Sequence, residues 1–147
     1  MNLNWKNIFL ADDDADDREF FADALKEVKQ DVVLTESRDG QELMKLLQNP
    51  DVQQPDVIFL DLNMPVKSGY QCLEEIRRDD NLKDSVVVIF TTSSLQEDID
   101  RLYAMGANLF ITKPTNFLHL KELISKVFSL DWMKGQQRPD RDNFSLS

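Results

Sequence analysis

Three short runs, Ile8 to Ala11, Val57 to Leu60 and Val86 to Phe90, are apolar at every residue, and each is followed by polar side chains. A run with no alternation predicts a strand buried on both faces, as in a parallel sheet. Two weaker runs, Val32 to Thr35 and Leu109 to Thr112, add two more strands. Between them the apolar residues switch to helical spacing: Arg18 to Val28, Gln41 to Leu47, Tyr70 to Arg77, Gln96 to Met105 and Phe117 to Phe128. The pattern predicts an α/β fold of five β/α units, with helices on both faces of one parallel sheet. Gly40 and Gly69 precede helices, and Gly106 follows one as an expected C′ cap.

The pattern fails after Leu130. Residues 1–130 are expected to form the domain, and 131–147 a polar C-terminal tail, flexible from Lys134 onward. The 17 residues beyond Leu130 are too few for an output domain. Helix five carries more apolar residues than one core stripe needs, so its Lys126 to Trp132 end is a candidate partner surface.

Charge narrows the function classes. With 17 Lys+Arg against 27 Asp+Glu the net charge is −10, a poor match to nucleic acid, whose phosphates demand clustered basic residues. The longest apolar runs fall far short of the roughly 20 residues of a membrane helix, and the single Cys72 cannot form an internal disulfide. A cytoplasmic location is the expectation.

Ligands of an open α/β sheet bind beyond the carboxyl ends of its strands. The first strand delivers Asp12-Asp13-Asp14 there, the third Asp61, the fourth Thr91-Thr92 and the fifth Lys113-Pro114. The second strand, as an edge, need not reach the site. Like charges about 4 Å apart repel by roughly 4 kcal/mol at an effective dielectric near 20, so three converging carboxylates require counter-charge. Lys113 supplies one positive charge. Oxygen donors without His or Cys favour Mg²⁺ for the remainder, which implies phosphate chemistry. Asp14, Asp16 and Asp17 open helix one, where capping and the helix dipole account for them.

Together these residues resemble the receiver domain of two-component response regulators. The resemblance rests on Asp12-Asp13, Asp61 within Phe59 to Pro65, Thr91, Lys113-Pro114, and the turns Asp39-Gly40, Ser68-Gly69 and Gly106-Ala107. It implies a flavodoxin-like sheet of order 2-1-3-4-5 and a phosphoryl group accepted on Asp61. It also implies Mg²⁺ at Asp12, Asp13, Asp61 and the backbone carbonyl of Asn63, with Asp12 acting through metal-bound water. Thr91 and Lys113 would contact phosphoryl oxygens, and Phe110 would occupy the place of the aromatic switch. Ser68 departs from the family's usual Asp at a turn, while Asn63 and Ser93 stand where such domains tune acyl-phosphate lifetime.

The implied donor is a sensor histidine kinase, of phytochrome type or another, or a phosphotransfer protein. The implied output is a downstream protein contact, with a homodimer through helix four, strand five and helix five as one form of it. The domain assists its own phosphotransfer and autodephosphorylation without being an enzyme toward other substrates. A receiver-like adaptor that is never phosphorylated is the main alternative. A metal-dependent phosphatase fits less well, because Asn63 replaces the second aspartate that such enzymes use as general acid. A P-loop NTPase lacks its glycine-rich motif.

Overall fold

The structure is a computed structural model that describes residues 4–130 and 139–147. Its strands are β1 (Asn7–Ala11), β2 (Val33–Ser37), β3 (Val57–Leu60), β4 (Val87–Thr91), β5 (Leu109–Thr112) and β6 (Ser145–Leu146). Its helices are α1 (Ala15–Val28), α2 (Gly40–Gln48), α3 (Gly69–Arg78), α4 (Gln96–Ala104) and α5 (Phe117–Ser129). The strands pair in parallel in the order β2-β1-β3-β4-β5-β6.

Alternation along the central strands divides the core in two. Phe9, Ile58, Leu60, Val87, Ile89 and Phe110 face one side, with Leu43 and Leu47 of α2, Leu73 and Ile76 of α3 and Leu102 of α4. Leu10, Phe59, Phe90 and Ile111 face the other, against Phe21 and Leu25 of α1 and Leu120, Ile124 and Val127 of α5. Phe21, Phe59 and Phe90 meet edge-to-face, with centroids 4.8 to 6.3 Å apart. The all-buried runs of β3 and β4 follow from this two-sided packing.

Helix ends follow local chemistry. Asp14, Asp39 and Asn116 cap α1, α2 and α5 by accepting from the backbone N–H three residues on. Ser68 and Gln71 form a reciprocal capping box at α3. Gly106, at φ 92°, ends α4: its N–H donates to the Tyr103 carbonyl and that of Ala107 to the Leu102 carbonyl, a Schellman arrangement.

The C-terminal segment corrects the expectation of a flexible tail. Residues 141–143 form a 3-10 turn, and Ser145–Leu146 join the sheet as β6 beside Phe110 and Ile111. Phe144 is fully buried, its ring 5.1 Å from that of Tyr103 and 6.4 Å from that of Phe110. Arg141 anchors the turn through an ion pair to Asp100 at 2.6 Å. Residues 131–138, which include the Trp132 end of the suggested helix-five surface and the start of the expected tail, lie outside the described residues. Within α5 the buried stripe is Leu120, Leu123, Ile124, Val127 and Phe128, while Leu118 is exposed.

Burying a Phe side chain contributes about 1.5–3 kcal/mol. Phe144→Ala is therefore expected to lower unfolding free energy by about that amount. The loss is bounded because the segment can detach without unfolding the other strands. Urea denaturation together with hydrogen exchange at the Phe110 amide, which donates to the Phe144 carbonyl at 2.9 Å, measures both effects. Full protection of that amide in the variant would show that the segment is held by other contacts.

Candidate functional site

The carboxyl ends of β1, β3, β4 and β5 form one rim, tied together by ladder hydrogen bonds that continue past the strands. The Asp12 N–H donates to the Ser37 carbonyl at 3.0 Å, that of Asp61 to Ala11 at 3.0 Å, and that of Lys113 to Thr91 at 2.7 Å. The edge strand β2 thus does reach the site, through its backbone at Ser37. Arg18 steadies the same corner, donating to the Asp12 carbonyl at 2.8 Å while lying 3.4 Å from Glu36.

Asp12 and Asp61 are buried, and each divides its two oxygens in the same way. One accepts from a nearby backbone N–H: Asp14 to Asp12 Oδ1 at 3.0 Å, and Leu62 to Asp61 Oδ1 at 2.7 Å. The other accepts from Lys113 Nζ, at 2.7 Å for Asp12 Oδ2 and 3.1 Å for Asp61 Oδ2. A third carboxylate, Asp17 of α1, accepts from the same nitrogen at 3.0 Å. An ammonium has three hydrogens, so the three contacts use all of them.

Burial pushes the Asp12 carboxyl above its usual range, outweighing the opposing pull of Lys113. Burial alone would lower the Lys113 value, but its carboxylate partners overcome that and hold the ammonium well above its ordinary range. Lys113 is therefore a fixed positive charge.

Asp13 is exposed, yet one carboxylate oxygen from each of Asp12, Asp13 and Asp61 lies within 4.8 Å of the others. Three hard oxygen donors, one of them facing solvent, fit a divalent cation that retains water, as Mg²⁺ does. Among the described residues no His or Cys joins the group.

Thr91 ends β4 and is buried, and its hydroxyl has no hydrogen-bond partner. Such a group costs free energy unless something pairs with it, which makes it a donor available to an added oxygen. Phe110 lies fully inside, on the β5 face that packs against Phe144. Asn63 is exposed in the loop between β3 and α3. Ser93 is engaged elsewhere: its hydroxyl donates to Asp98 Oδ2 at 2.7 Å, while Tyr70 donates to Asp98 Oδ1 at 2.9 Å. This links the loop after β4 to α3 and α4.

Backbone approach sets where Asp61 sits. A Cβ on Gly69 would lie 2.1 Å from the Asp61 carbonyl oxygen, so only glycine lets α3 start this close to the end of β3. In the intervening loop Val66 takes φ 68°, a left-handed conformation that costs a β-branched residue about 1–3 kcal/mol. Val66 is also exposed. Val66→Asn is accordingly expected to raise the thermal midpoint, by an amount equivalent to about 1 kcal/mol. A lowered midpoint would mean that the valine side chain has compensating contacts.

Two of these features are absent from the sequence reading. Val66 carries no turn signal, being neither Gly nor Asn. Asp17 reads as a first-turn helix residue, and its contact to Lys113 spans 96 positions.

A family model described as the response regulator receiver domain matches residues 8–125. The chain belongs to the response regulator receiver family. Response regulator Rcp1 of Synechocystis sp. is 32% identical over 138 residues, covering 91% of this chain and 93% of that protein. The crystal structure of a phosphorylated cyanobacterial phytochrome response regulator, RcpA, superposes with TM-score 0.77 at 34% identity, over 84% of this receiver and 91% of RcpA. The Mn²⁺-bound form of Rcp1 also superposes with TM-score 0.77, at 32% identity, over 91% and 99% of the two chains. The receiver's five-unit core matches the fold of these relatives; in this chain β6 lies outside β5. Among the described residues no helix is long and apolar enough to cross a membrane.

Proposed function

We propose that this receiver is a phosphorylation switch that accepts a phosphoryl group on Asp61 from the phosphohistidine of a histidine kinase or phosphotransfer protein. The observation that carries the reading is the buried pair Asp12 and Asp61 on one lysine, with Asp13 beside them. In the transfer, an Asp61 carboxylate oxygen attacks phosphorus, the P–N bond to histidine breaks, and an acyl phosphate forms. Lys113 neutralises charge on the moving phosphoryl oxygens, and the Thr91 hydroxyl donates to one of them. Asp12, Asp13, Asp61 and the Asn63 carbonyl would hold Mg²⁺, which when bound offsets negative charge on the phosphoryl group. The Mn²⁺-bound form of Rcp1 supports a divalent ion here.

Phosphorylation adds close to two negative charges at Asp61. Reorientation of Thr91 would open space on the Phe110 side, re-biasing α4, β5 and α5 between two packings. Output is then contact with a downstream protein. A homodimer through the same face would meet the C-terminal segment, which lies on the β5 edge. The phytochrome association in RcpA's name supports a phytochrome-type or other sensory kinase as donor, acting in the cytoplasm.

The test is direct. Incubation with acetyl phosphate and Mg²⁺ should add one phosphoryl group by intact mass, blocked by EDTA and removed by hydroxylamine, which cleaves acyl phosphates. Absence of the adduct would favour the adaptor reading, and steady phosphate release from phosphomonoesters would favour the phosphatase.

A further inference from the structure

Lys113 is saturated before any phosphoryl group arrives: three hydrogens, three carboxylates. One hydrogen can pass from the Asp61 carboxylate to the phosphoryl group that Asp61 acquires; any further donation to phosphoryl oxygens must come from the hydrogens held by Asp12 or Asp17. Asp12, its side chain 1% exposed, is expensive to release unless a bound cation replaces the lysine as its counter-ion. Asp61 is the acceptor itself. Asp17 differs from both: its side chain is 42% exposed, it lies outside the Asp12, Asp13 and Asp61 group, and it sits in the first turn of α1, where the helix dipole favours a free carboxylate.

We propose that Asp17 is the exchangeable partner of Lys113, the carboxylate given up when Asp61 is phosphorylated, and that it therefore sets how readily the phosphorylated state forms. This rests on the phosphoacceptor reading of Asp61. Asp17 is a positioning residue: it acts on the phosphoryl group only through the lysine it occupies. Removing its charge weakens its hold on one ammonium hydrogen and takes away one competing anion, so the phosphorylated state should form more readily.

The experiment uses the full chain with Mg²⁺ and beryllofluoride, an acyl-phosphate mimic that reports binding without turnover, measured by calorimetry. Asp17→Asn should bind beryllofluoride roughly two- to five-fold more tightly than wild type, the range set by a solvent-exposed ion pair. The gain should shrink as ionic strength rises. Asp17→Glu, which keeps the charge, should return toward wild type, and Asp16→Asn, on the same helical turn without a contact to Lys113, should bind as wild type does. A structural role for Asp17 in the helix would move the thermal midpoint without moving affinity. Unchanged or weaker binding by Asp17→Asn, or an equal gain in Asp16→Asn, would overturn the proposal while leaving Asp61 in place. Failure of wild type to bind beryllofluoride would overturn the Asp17 and Asp61 readings together.

Discussion

Asp61→Asn is expected to show no phosphoryl adduct after incubation with acetyl phosphate and Mg²⁺, under conditions in which wild type is modified. The amide has no nucleophilic oxygen anion, and no other carboxylate in the group can take its place. The Asp12 side chain is 1% exposed against 9% for Asp61, and Asp13 is exposed while the Lys113 ammonium donates to Asp12, Asp17 and Asp61. The variant should fold normally. It removes one of three carboxylates around a single ammonium, and at an effective dielectric near 20 each like-charge pair about 4 Å apart costs roughly 4 kcal/mol before Lys113 offsets it. The thermal midpoint should therefore equal or exceed that of wild type, which separates lost chemistry from lost structure. An adduct persisting on Asp61→Asn would move the acceptor to another residue.

Lys113→Met should have the largest effect on stability. The Lys113 side chain is 9% exposed and pairs with Asp12 and Asp61 side chains that are 1% and 9% exposed. Methionine keeps the length and fills the space but leaves both carboxylates without their cation. Breaking a buried pair in this way costs about 3–5 kcal/mol. Urea unfolding at neutral pH in EDTA should show that loss, and saturating Mg²⁺ should recover part of it, because a ligand that binds only the folded state adds stability by mass action.

The pH dependence has a definite sign. Burial already raises the Asp12 carboxyl in wild type, and losing Lys113 raises it further. A folded-state value above the unfolded one favours folding below that range and penalises it above. The deficit of Lys113→Met relative to wild type should thus shrink as pH falls into the acid range. A deficit below about 1 kcal/mol at neutral pH would show that Lys113 is not the counter-charge of the site.

The central strands and the rim were legible because each rests on local information. An all-apolar run such as Val57 to Leu60 has no stable place except between two helix layers. Polar residues directly after such runs must emerge at the carboxyl edge, which is how Asp12, Asp61, Thr91 and Lys113 come together. The cap at Asp14 was equally readable, since capping is a contact between residues three apart.

The C-terminal segment was not legible. Its Pro, Asp, Arg and Ser read as solvated chain, and one phenylalanine carries no periodicity. Its ordering depends on a space between Tyr103 and Phe110 that exists only once α4 and β5 have packed.

By itself, then, the amino-acid sequence determined a two-sided parallel sheet and the set of groups at its rim, because burial patterns and strand-end positions are short-range properties of the chain. Only the tertiary structure decided that Lys113 is shared among Asp12, Asp17 and Asp61, that the Thr91 hydroxyl lacks a partner, and that Phe144 completes the core. Each of these depends on distances between atoms far apart in the chain, which packing sets and residue order does not.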